Sequence, residues 1–259
     1  MFGKTGRNKE YFNKEAASYD SKHEKTLDQM IKEIRARVDF MGVDWVDEDG
    51  DDDDEEEEED HTPKKVVRLL DYACGTGALA PYTTQCVGID LSENMVATYN
   101  ARAENQGLSL QEMHAYQGNL CSPSDPDPEA FASPEFRNFD ITAVGLGFHH
   151  FDDPALAAKR LAERLKPGGV LLILDFFTHG TAEFGHEVNA TITHHGFSEA
   201  EIQRIFEEAG VGKDFALDAV EPMVFHRATE SRPEIRRRIF LARGTKEESS
   251  RVPVWMPEF

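Results

Sequence analysis

The sequence predicts an α/β fold built on a doubly wound, mostly parallel sheet, and three observations support this prediction. Short apolar runs recur along the chain, and two early ones end in a carboxylate, at Asp71 and at Asp90. Segments with helix start and stop signals separate these runs. A tight turn of small residues, 73–77, follows the first run directly. Strands that alternate with helices form parallel sheets, because each crossover helix packs on a face of the sheet.

Seven segments have the apolar composition of strands. They are residues 66–71, 86–90, 110–121, 139–146, 170–174, 215–225 and 235–246. The last two are separated by a polar loop and are predicted to pair with each other in antiparallel fashion.

The helix start signals lie where an α/β fold needs them. Ser92 is predicted to cap the helix after the second strand, and Asp153, followed by Pro154, caps the helix after the fourth. Ser198 and Glu201 form a capping box for the helix after the fifth strand. These signals favour a strand–helix alternation through most of the chain.

A further helix is predicted before the first strand. Apolar residues recur at helical spacing from Leu27 to Met41, which predicts a helix of about four turns. Residues 1–10 are polar and are expected to be mobile. We interpret residues 1–46 as an N-terminal helical cap segment on the sheet.

The charge of the chain is concentrated in one tract. The 259 residues carry a formal charge of −21, and thirteen of the fourteen residues from Asp47 to Asp60 are acidic. The rest of the chain has 36 acidic and 28 basic residues, a net charge of −8. This tract cannot bury surface and repels itself, so residues 47–64 are predicted to be a disordered insert. It is either a solvated spacer or an attractor for a basic partner, such as a histone tail.

Composition also limits the partners and the compartment. No broad basic face points to nucleic acid, and no apolar run is long enough for a membrane span. Cys74, Cys86 and Cys121 show no paired spacing, and the N-terminus has no apolar signal region. We expect an intracellular protein of the cytoplasm, with the nucleus as a second compartment.

The turn after the first strand indicates the ligand class. It reads DYACGTG, and its small residues let backbone N–H groups approach a ligand closely. A dinucleotide site needs Gly-x-Gly-x-x-Gly, whereas position 80 is Ala80, and Asp71 would repel a pyrophosphate. Asp71 instead favours a ligand with cationic groups. A helix-compatible segment follows from Ala78.

The stretch LLDYACGTG resembles motif I of class I S-adenosylmethionine (SAM) dependent methyltransferases. The resemblance continues in VGIDLSENMV, in QGNL and in the block from HHFDDP to LKPGG. The opening F…ASYD, from Phe12 to Asp20, resembles the ubiquinone/menaquinone-biosynthesis (UbiE-like) type, in which this segment covers the cofactor cleft. The resemblance implies a Rossmann-like sheet of seven strands with the last antiparallel, SAM as cofactor and S-adenosylhomocysteine as product.

The cofactor residues are carried over from these motifs. Asp90, at the end of the second strand and 13 residues after Gly77, is placed to bind the ribose hydroxyls. Asn119 is predicted to read the exocyclic amine of adenine through its carbonyl oxygen, with Leu120 as an apolar wall. Ala73 replaces a frequent motif glycine and is tolerable if its φ is negative. The full predicted set is Tyr19, Asp71, Ala73, Cys74, Gly75, Gly77, Asp90, Leu91, Met95, Asn119, Leu120 and Gly145.

The sequence gives fewer indications of the residues that contact the methyl acceptor. A general base is needed only when the acceptor must lose a proton, and it should lie where the fourth and fifth strands end or on the loop that follows. The predicted catalytic residues are His149, His150 and His195, although each can instead merely shape the cleft. No two histidines and a carboxylate have metal-ligand spacing on a predicted helix, so no metal is expected.

The sequence therefore predicts a SAM-binding methyltransferase domain over residues 65–245, with a flexible tail over 246–259. The preferred function is methyl transfer to a small-molecule acceptor, by O- or C-methylation. The alternative is a protein-directed or regulatory methyltransferase subunit that acts with a partner protein. An NAD-dependent oxidoreductase is disfavoured by Asp71 and by the missing third glycine.

Overall fold

The computed structural model describes residues 4–43, 45, 66–77, 83–180, 189–226 and 235–248. The predicted acidic insert, the helix start at Ala78 and all but three residues of the predicted tail lie outside these ranges. None of the helices in these ranges has the length and apolar composition of a membrane-spanning segment.

Four α-helices and seven strands make up the described fold. The helices are Lys4–Arg35 (α1), Glu93–Asn105 (α2), Pro154–Arg164 (α3) and Glu199–Glu208 (α4). The strands are Arg68–Tyr72 (β1), Gln85–Asp90 (β2), Met113–Gln117 (β3), Phe139–Gly145 (β4), Leu165–Phe176 (β5), Lys213–His226 (β6) and Ile235–Thr245 (β7).

The strands form one sheet in the order β3-β2-β1-β4-β5-β7-β6. Strands β1 to β5 pair in parallel, whereas β7 pairs antiparallel with both β5 and β6. The predicted doubly wound α/β fold with an antiparallel last strand is confirmed. The strand order reverses between β1 and β4, and ligands of such sheets bind in the crevice beyond the carboxyl ends at this point.

The predicted helix caps form as the sequence indicates. The Asp153 carboxylate accepts the Leu156 N–H at 2.9 Å, with Pro154 in the first helical position. Ser198 and Glu201 make the reciprocal bonds of a capping box. Local side chains thus define where α3 and α4 begin.

Each face of the sheet buries a separate apolar core. One core packs β1 and β4 residues such as Leu70 and Val144 against α3 and α4. The other packs their neighbours, including Leu69 and Ala143, against α1 and α2. Adjacent strand residues point to opposite faces, so runs of consecutive apolar residues supply both cores.

The predicted bounds of the N-terminal helix are wrong. The helix begins at Lys4 rather than at Leu27, and it ends at Arg35, before Met41. The part of the helix before Leu27 has little apolar periodicity, because several of the side chains that attach it to the rest of the chain are polar. Asn13 binds the start of α2, and the Thr26 hydroxyl donates to the Val224 carbonyl at 2.8 Å. Contacts of this kind, distant in sequence, leave no periodic signal.

The outer edge of β3 is closed by a side chain of α2. The Ala115 N–H donates to Asn100 Oδ1 at 2.8 Å, and Asn100 Nδ2 donates to the Ala115 carbonyl at 3.0 Å. The Asn100 amide therefore replaces a neighbouring strand at the centre of this edge. Closed edges of this kind limit pairing with other chains.

Asn100→Ala is expected to lower the free energy of unfolding by about 1 kcal/mol, because both backbone groups of Ala115 lose their partner. Asn105→Ala is the matched control, since it brings a similar gain in helix propensity at an exposed position of the same helix. Urea denaturation of both variants measures the difference. Equal stabilities would contradict this role of Asn100.

Candidate functional site

A cavity of about 420 Å³ lies beyond the carboxyl ends of β1, β2, β3 and β4, where the strand order reverses. Tyr72, Asp90, Asn119 and Gly145, which end or follow these strands, all line it. Helix α1 lies across the opening and contributes Thr5, Asn8, Lys9, Phe12, Tyr19, Leu27 and Met30 to the wall. The volume is that of a small-molecule site.

The turn after β1 has a left-handed backbone at three positions. Ala73, Gly75 and Gly77 have φ angles of 55°, 51° and 86°. The sequence prediction accepts alanine in place of the motif glycine only if its φ is negative. The φ of Ala73 is positive, so this condition is not met. Gly77 does not line the cavity, and a Cβ there would lie 2.9 Å from Tyr99 and Met113 atoms. The left-handed backbone and the close packing together account for this glycine.

The Asp90 carboxylate connects this turn to the second strand. Its Oδ2 accepts the Gly75 N–H at 2.9 Å, and its Oδ1 accepts the Ser92 N–H at 2.8 Å. Burial raises the pKa of Asp90, and the bonds from Ser92 and Gly75 offset part of that rise. Each oxygen keeps a further lone pair for a ligand.

Asp71 lies behind the turn and does not line the cavity. Its side chain is buried, and its Oδ2 has no hydrogen-bond partner among the described residues. Burial, and then the nearby Asp90 charge, hold the pKa of Asp71 well above its ordinary value. Burial and the Asp90 charge thus disfavour the ionised form of Asp71, and a nearby cation would favour it.

The Asn119 side chain is fixed by its own loop and by β1. Its Oδ1 accepts the Cys121 N–H at 2.8 Å and the Tyr72 hydroxyl at 3.0 Å. The carbonyl oxygen, predicted to read adenine, thus already uses both lone pairs. Leu120 is buried and lies outside the cavity lining, while its N–H donates to the Tyr72 oxygen at 3.2 Å.

The aromatic residues of α1 lie over the cavity. Tyr19 lines it, and burial, followed by the charges of Tyr11, Asp90 and Asp20, raises the pKa of Tyr19 to about 12. Phe12 lines it as well, with its ring centroid 5.3 Å from that of His150 in a T-shaped arrangement. The helix thus closes the cavity with an aromatic surface.

His150 is the predicted catalytic histidine that lines the cavity. Its Nδ1 lies 2.9 Å from the Thr191 carbonyl, which can only accept, so Nδ1 carries the proton and Nε2 holds a lone pair. Burial, and then the neighbouring His149, lower the pKa of His150 to about 3. The imidazole is therefore neutral at physiological pH.

His149 does not line the cavity but joins a buried carboxylate at the end of β5. Its Nδ1 lies 2.9 Å from Asp175 Oδ1, and its backbone N–H donates to Asp175 Oδ2 at 3.1 Å. Asp175 is fully buried and also accepts the Phe176 N–H at 2.7 Å. Asp175 therefore fixes the turn that carries His150. His195, the third predicted catalytic residue, is exposed and outside the cavity lining.

The structure thus brings most of the predicted residues together. Those that line the cavity are Tyr19, Ala73, Cys74, Gly75, Asp90, Leu91, Met95, Asn119, Gly145 and His150, whereas Asp71, Gly77, Leu120, His149 and His195 do not. The prediction did not name Tyr72, the α1 residues other than Tyr19, or the residues next to His150 at the exit of β4 that also line the cavity. The resemblance of residues 12–20 and the position of the β4 exit beyond the sheet were the available signals for the last two groups. The described residues contain no cluster of ligands that could hold a metal ion.

Ala73→Gly is expected to raise the free energy of unfolding by up to about 1 kcal/mol, because a left-handed φ strains alanine and not glycine. Ala132→Gly is the matched control: Ala132 is exposed with a φ of −81°, so the same change should be destabilising there. Chemical denaturation of both variants measures the two changes in the free energy of unfolding. Destabilisation of similar size in both would contradict the strain at Ala73.

Comparison with known proteins agrees with this geometry. The sequence profile of a methyltransferase-domain family matches residues 70–173. An uncharacterized methyltransferase of Schizosaccharomyces pombe is 29% identical over 199 residues, which cover 71% of this chain and 68% of that protein. A demethylmenaquinone methyltransferase of Thermus thermophilus is 32% identical over 124 residues, or 46% of this chain, which span only 51% of its own length.

Solved structures share the fold at lower identity. A Haloferax volcanii chain described as a methyltransferase, from a complex with the Trm112 methyltransferase activator, gives a TM-score of 0.60 at 17% identity and covers 93% of this chain and 97% of its own. The YcgJ protein of Bacillus subtilis gives a TM-score of 0.51 at 21% identity, over 71% of this chain and 93% of its own. Residues 70–173 are thus similar to a methyltransferase domain, the relatives named above are methyltransferases, and the sheet has the fold of these solved neighbours.

Proposed function

We propose that the chain transfers a methyl group from SAM to a small-molecule acceptor, by O- or C-methylation. The cavity beneath α1 carries this proposal. It extends from Asp90 and Asn119 at one side to Leu27, Met30 and Leu146 at another, within one space of about 420 Å³. A space of this size, covered by a helix, suits a cofactor and a small acceptor better than a polypeptide.

Asp90 is proposed to bind the ribose. Each of its oxygens accepts one backbone N–H and keeps a lone pair toward a hydroxyl. Leu91 and Met95 line the cavity next to it and supply apolar contacts. Asn119 is proposed to contact adenine, while the buried Leu120 supports it from behind.

The turn after β1 is proposed to hold the methionine part of SAM. Ala73, Cys74 and Gly75 line the cavity there, with Tyr19 above them and Gly145 at the end of β4. Asp71 lies behind this turn, and a cationic ligand would favour its ionised form. This residue set is our proposal for the cofactor, and Asp71 acts in it through its charge.

We propose that His150 contacts the methyl acceptor. Its Nε2 lone pair faces no competing proton at neutral pH, and the Thr191 carbonyl fixes the ring tautomer. It can therefore accept a proton or a hydrogen bond from an acceptor hydroxyl. His149 is assigned a positioning role through Asp175, and His195 is left without a role at the cavity.

Methyl transfer then requires little more than the alignment of the acceptor atom with the methyl carbon and the sulfur of SAM. The sulfonium methyl of SAM supplies the electrophile. Phe12 and Tyr19 exclude water from above the cavity, and the exit of β4 holds the acceptor opposite the turn after β1. An acceptor whose reacting atom carries no proton would need no base, and His150 would then act only as a polar wall.

Asp90→Ala is expected to weaken binding of S-adenosylhomocysteine by about 1–3 kcal/mol, because two hydroxyl contacts to a charged acceptor are lost. Titration calorimetry measures this change. Asp125→Ala removes the same charge from an exposed loop position and should leave the affinity unchanged. Unaltered binding by a folded Asp90→Ala variant would contradict the ribose assignment.

The lowered pKa of His150 predicts a pH dependence of stability. The folded state binds fewer protons than the unfolded state between about pH 3 and the ordinary histidine pKa of about 6.5. Stability from this group is therefore present above pH 6.5 and is lost as the pH falls toward about 3. His150→Gln should flatten this slope in urea titrations, and an imidazole signal of His150 that titrates near pH 6.5 by NMR would contradict the burial.

A second candidate function is methylation of a protein, or a regulatory role, with a partner. The similarity in fold to the Haloferax chain, which is complexed with an activator, and the acidic tract at residues 47–60 favour it. Transfer of labelled methyl groups from SAM to a panel of phenols and quinone precursors by the isolated chain would support the first function. Label incorporated only into protein, and lost when residues 47–60 are deleted, would support the second.

A further inference from the structure

Tyr72 ends β1 and lines the cavity, yet the set of predicted site residues does not include it. Its side chain is nearly buried at 5% exposure. Its hydroxyl lies between two groups of the loop after β3. It donates to Asn119 Oδ1 at 3.0 Å and accepts the Leu120 N–H at 3.2 Å.

These contacts fix which end of the Asn119 amide is the oxygen. The Cys121 N–H lies 2.8 Å from the same atom, and a backbone N–H can only donate. The atom that receives it must therefore be Oδ1. With Tyr72 and Cys121 both bonded to the oxygen, the NH2 group is the part of the amide that remains for a ligand.

Packing and the sheet hold the Tyr72 side chain in place. Its ring lies against Phe151, with a centroid distance of 5.5 Å, and the hydroxyl is held at the end of a strand buried in the sheet. Burial is the main reason that the pKa of Tyr72 is well above its ordinary value, so the hydroxyl keeps its proton and remains a donor. Asn119 alone sits on a loop and could rotate about its last torsion.

We propose that Tyr72 is a positioning residue for cofactor recognition, which locks the Asn119 amide so that its NH2 group donates to a ring nitrogen of adenine. This inference rests on the proposed placement of adenine next to Asn119. It differs from the sequence prediction, in which the carbonyl oxygen accepts from the exocyclic amine. The site thus presents a donor where an acceptor was expected.

A double-mutant cycle on S-adenosylhomocysteine affinity, measured by titration calorimetry, tests the lock. Asn119→Ala should weaken binding about tenfold, and Tyr72→Phe, which keeps the ring, should weaken it several-fold. In the Tyr72→Phe background, Asn119→Ala should add less than about threefold. A role of Tyr72 in packing alone would leave the two effects additive, and that result would overturn the proposal.

Asn119→Asp tests the identity of the group presented. The carboxylate still accepts from Tyr72 and Cys121 but has no donor for the ligand, so affinity should fall as far as in Asn119→Ala. Wild-type affinity in Asn119→Asp would overturn the assignment of a donor. Thermal unfolding of each variant verifies that it is folded.

The outcomes separate this inference from the function proposed above. A wild-type chain that binds no S-adenosylhomocysteine would overturn both. Unchanged affinity in Asn119→Ala would remove the adenine placement and, with it, the lock. Loss of affinity in Asn119→Ala with wild-type affinity in Tyr72→Phe would overturn the lock alone.

Discussion

The Asp90 carboxylate is the interaction on which the site depends. It receives one N–H from the turn after β1 and one from the start of α2, at 2.9 and 2.8 Å. Two segments that are adjacent in the sheet but separated in sequence are thereby held at one point. Because burial disfavours the charge, these N–H groups are what make an acidic residue tolerable there.

Helix α1 is tied to the same point from the opposite side. The Ser92 hydroxyl caps α2 by accepting the Met95 N–H at 3.1 Å, and it donates to Asn13 Oδ1 at 2.5 Å. The residue that binds the Asp90 carboxylate through its backbone thus also holds the helix that covers the cavity. Ser92 therefore connects the Asp90 carboxylate to the helix that lines the cavity.

The exit of β4 shows how contacts with a neighbouring strand orient a strand end toward the cavity. Asp175 at the end of β5 takes the backbone N–H and the ring of His149, so the short turn at Phe148–His150 has one orientation. His150 then lines the cavity with a neutral ring, while His149 remains behind it. Two adjacent histidines, indistinguishable in the sequence, receive different chemical roles from their neighbours.

Much of the fold followed from local patterns in the sequence, and ten of the fifteen predicted site residues line the cavity. Apolar runs set the strands, because buried parallel strands need apolar residues on both faces, and Asp153–Pro154 and Ser198–Glu201 set helix starts through bonds within one turn. Asp90 and Asn119 were identified because they end or follow strands, where parallel sheets bind ligands. These signals depend only on residues that are close in sequence.

The remaining features depend on contacts between distant parts of the chain. The length of α1, the burial of Asp71, the separation of His149 from His150 and the lock of Asn119 by Tyr72 all arise from side chains that meet only after folding. The sequence by itself determined the sheet, since its periodicity is local, and the resemblance of its motifs indicated the methyl donor. The tertiary structure decided which atoms face the ligand, because hydrogen-bond partners and burial belong to the packed molecule and not to the chain order.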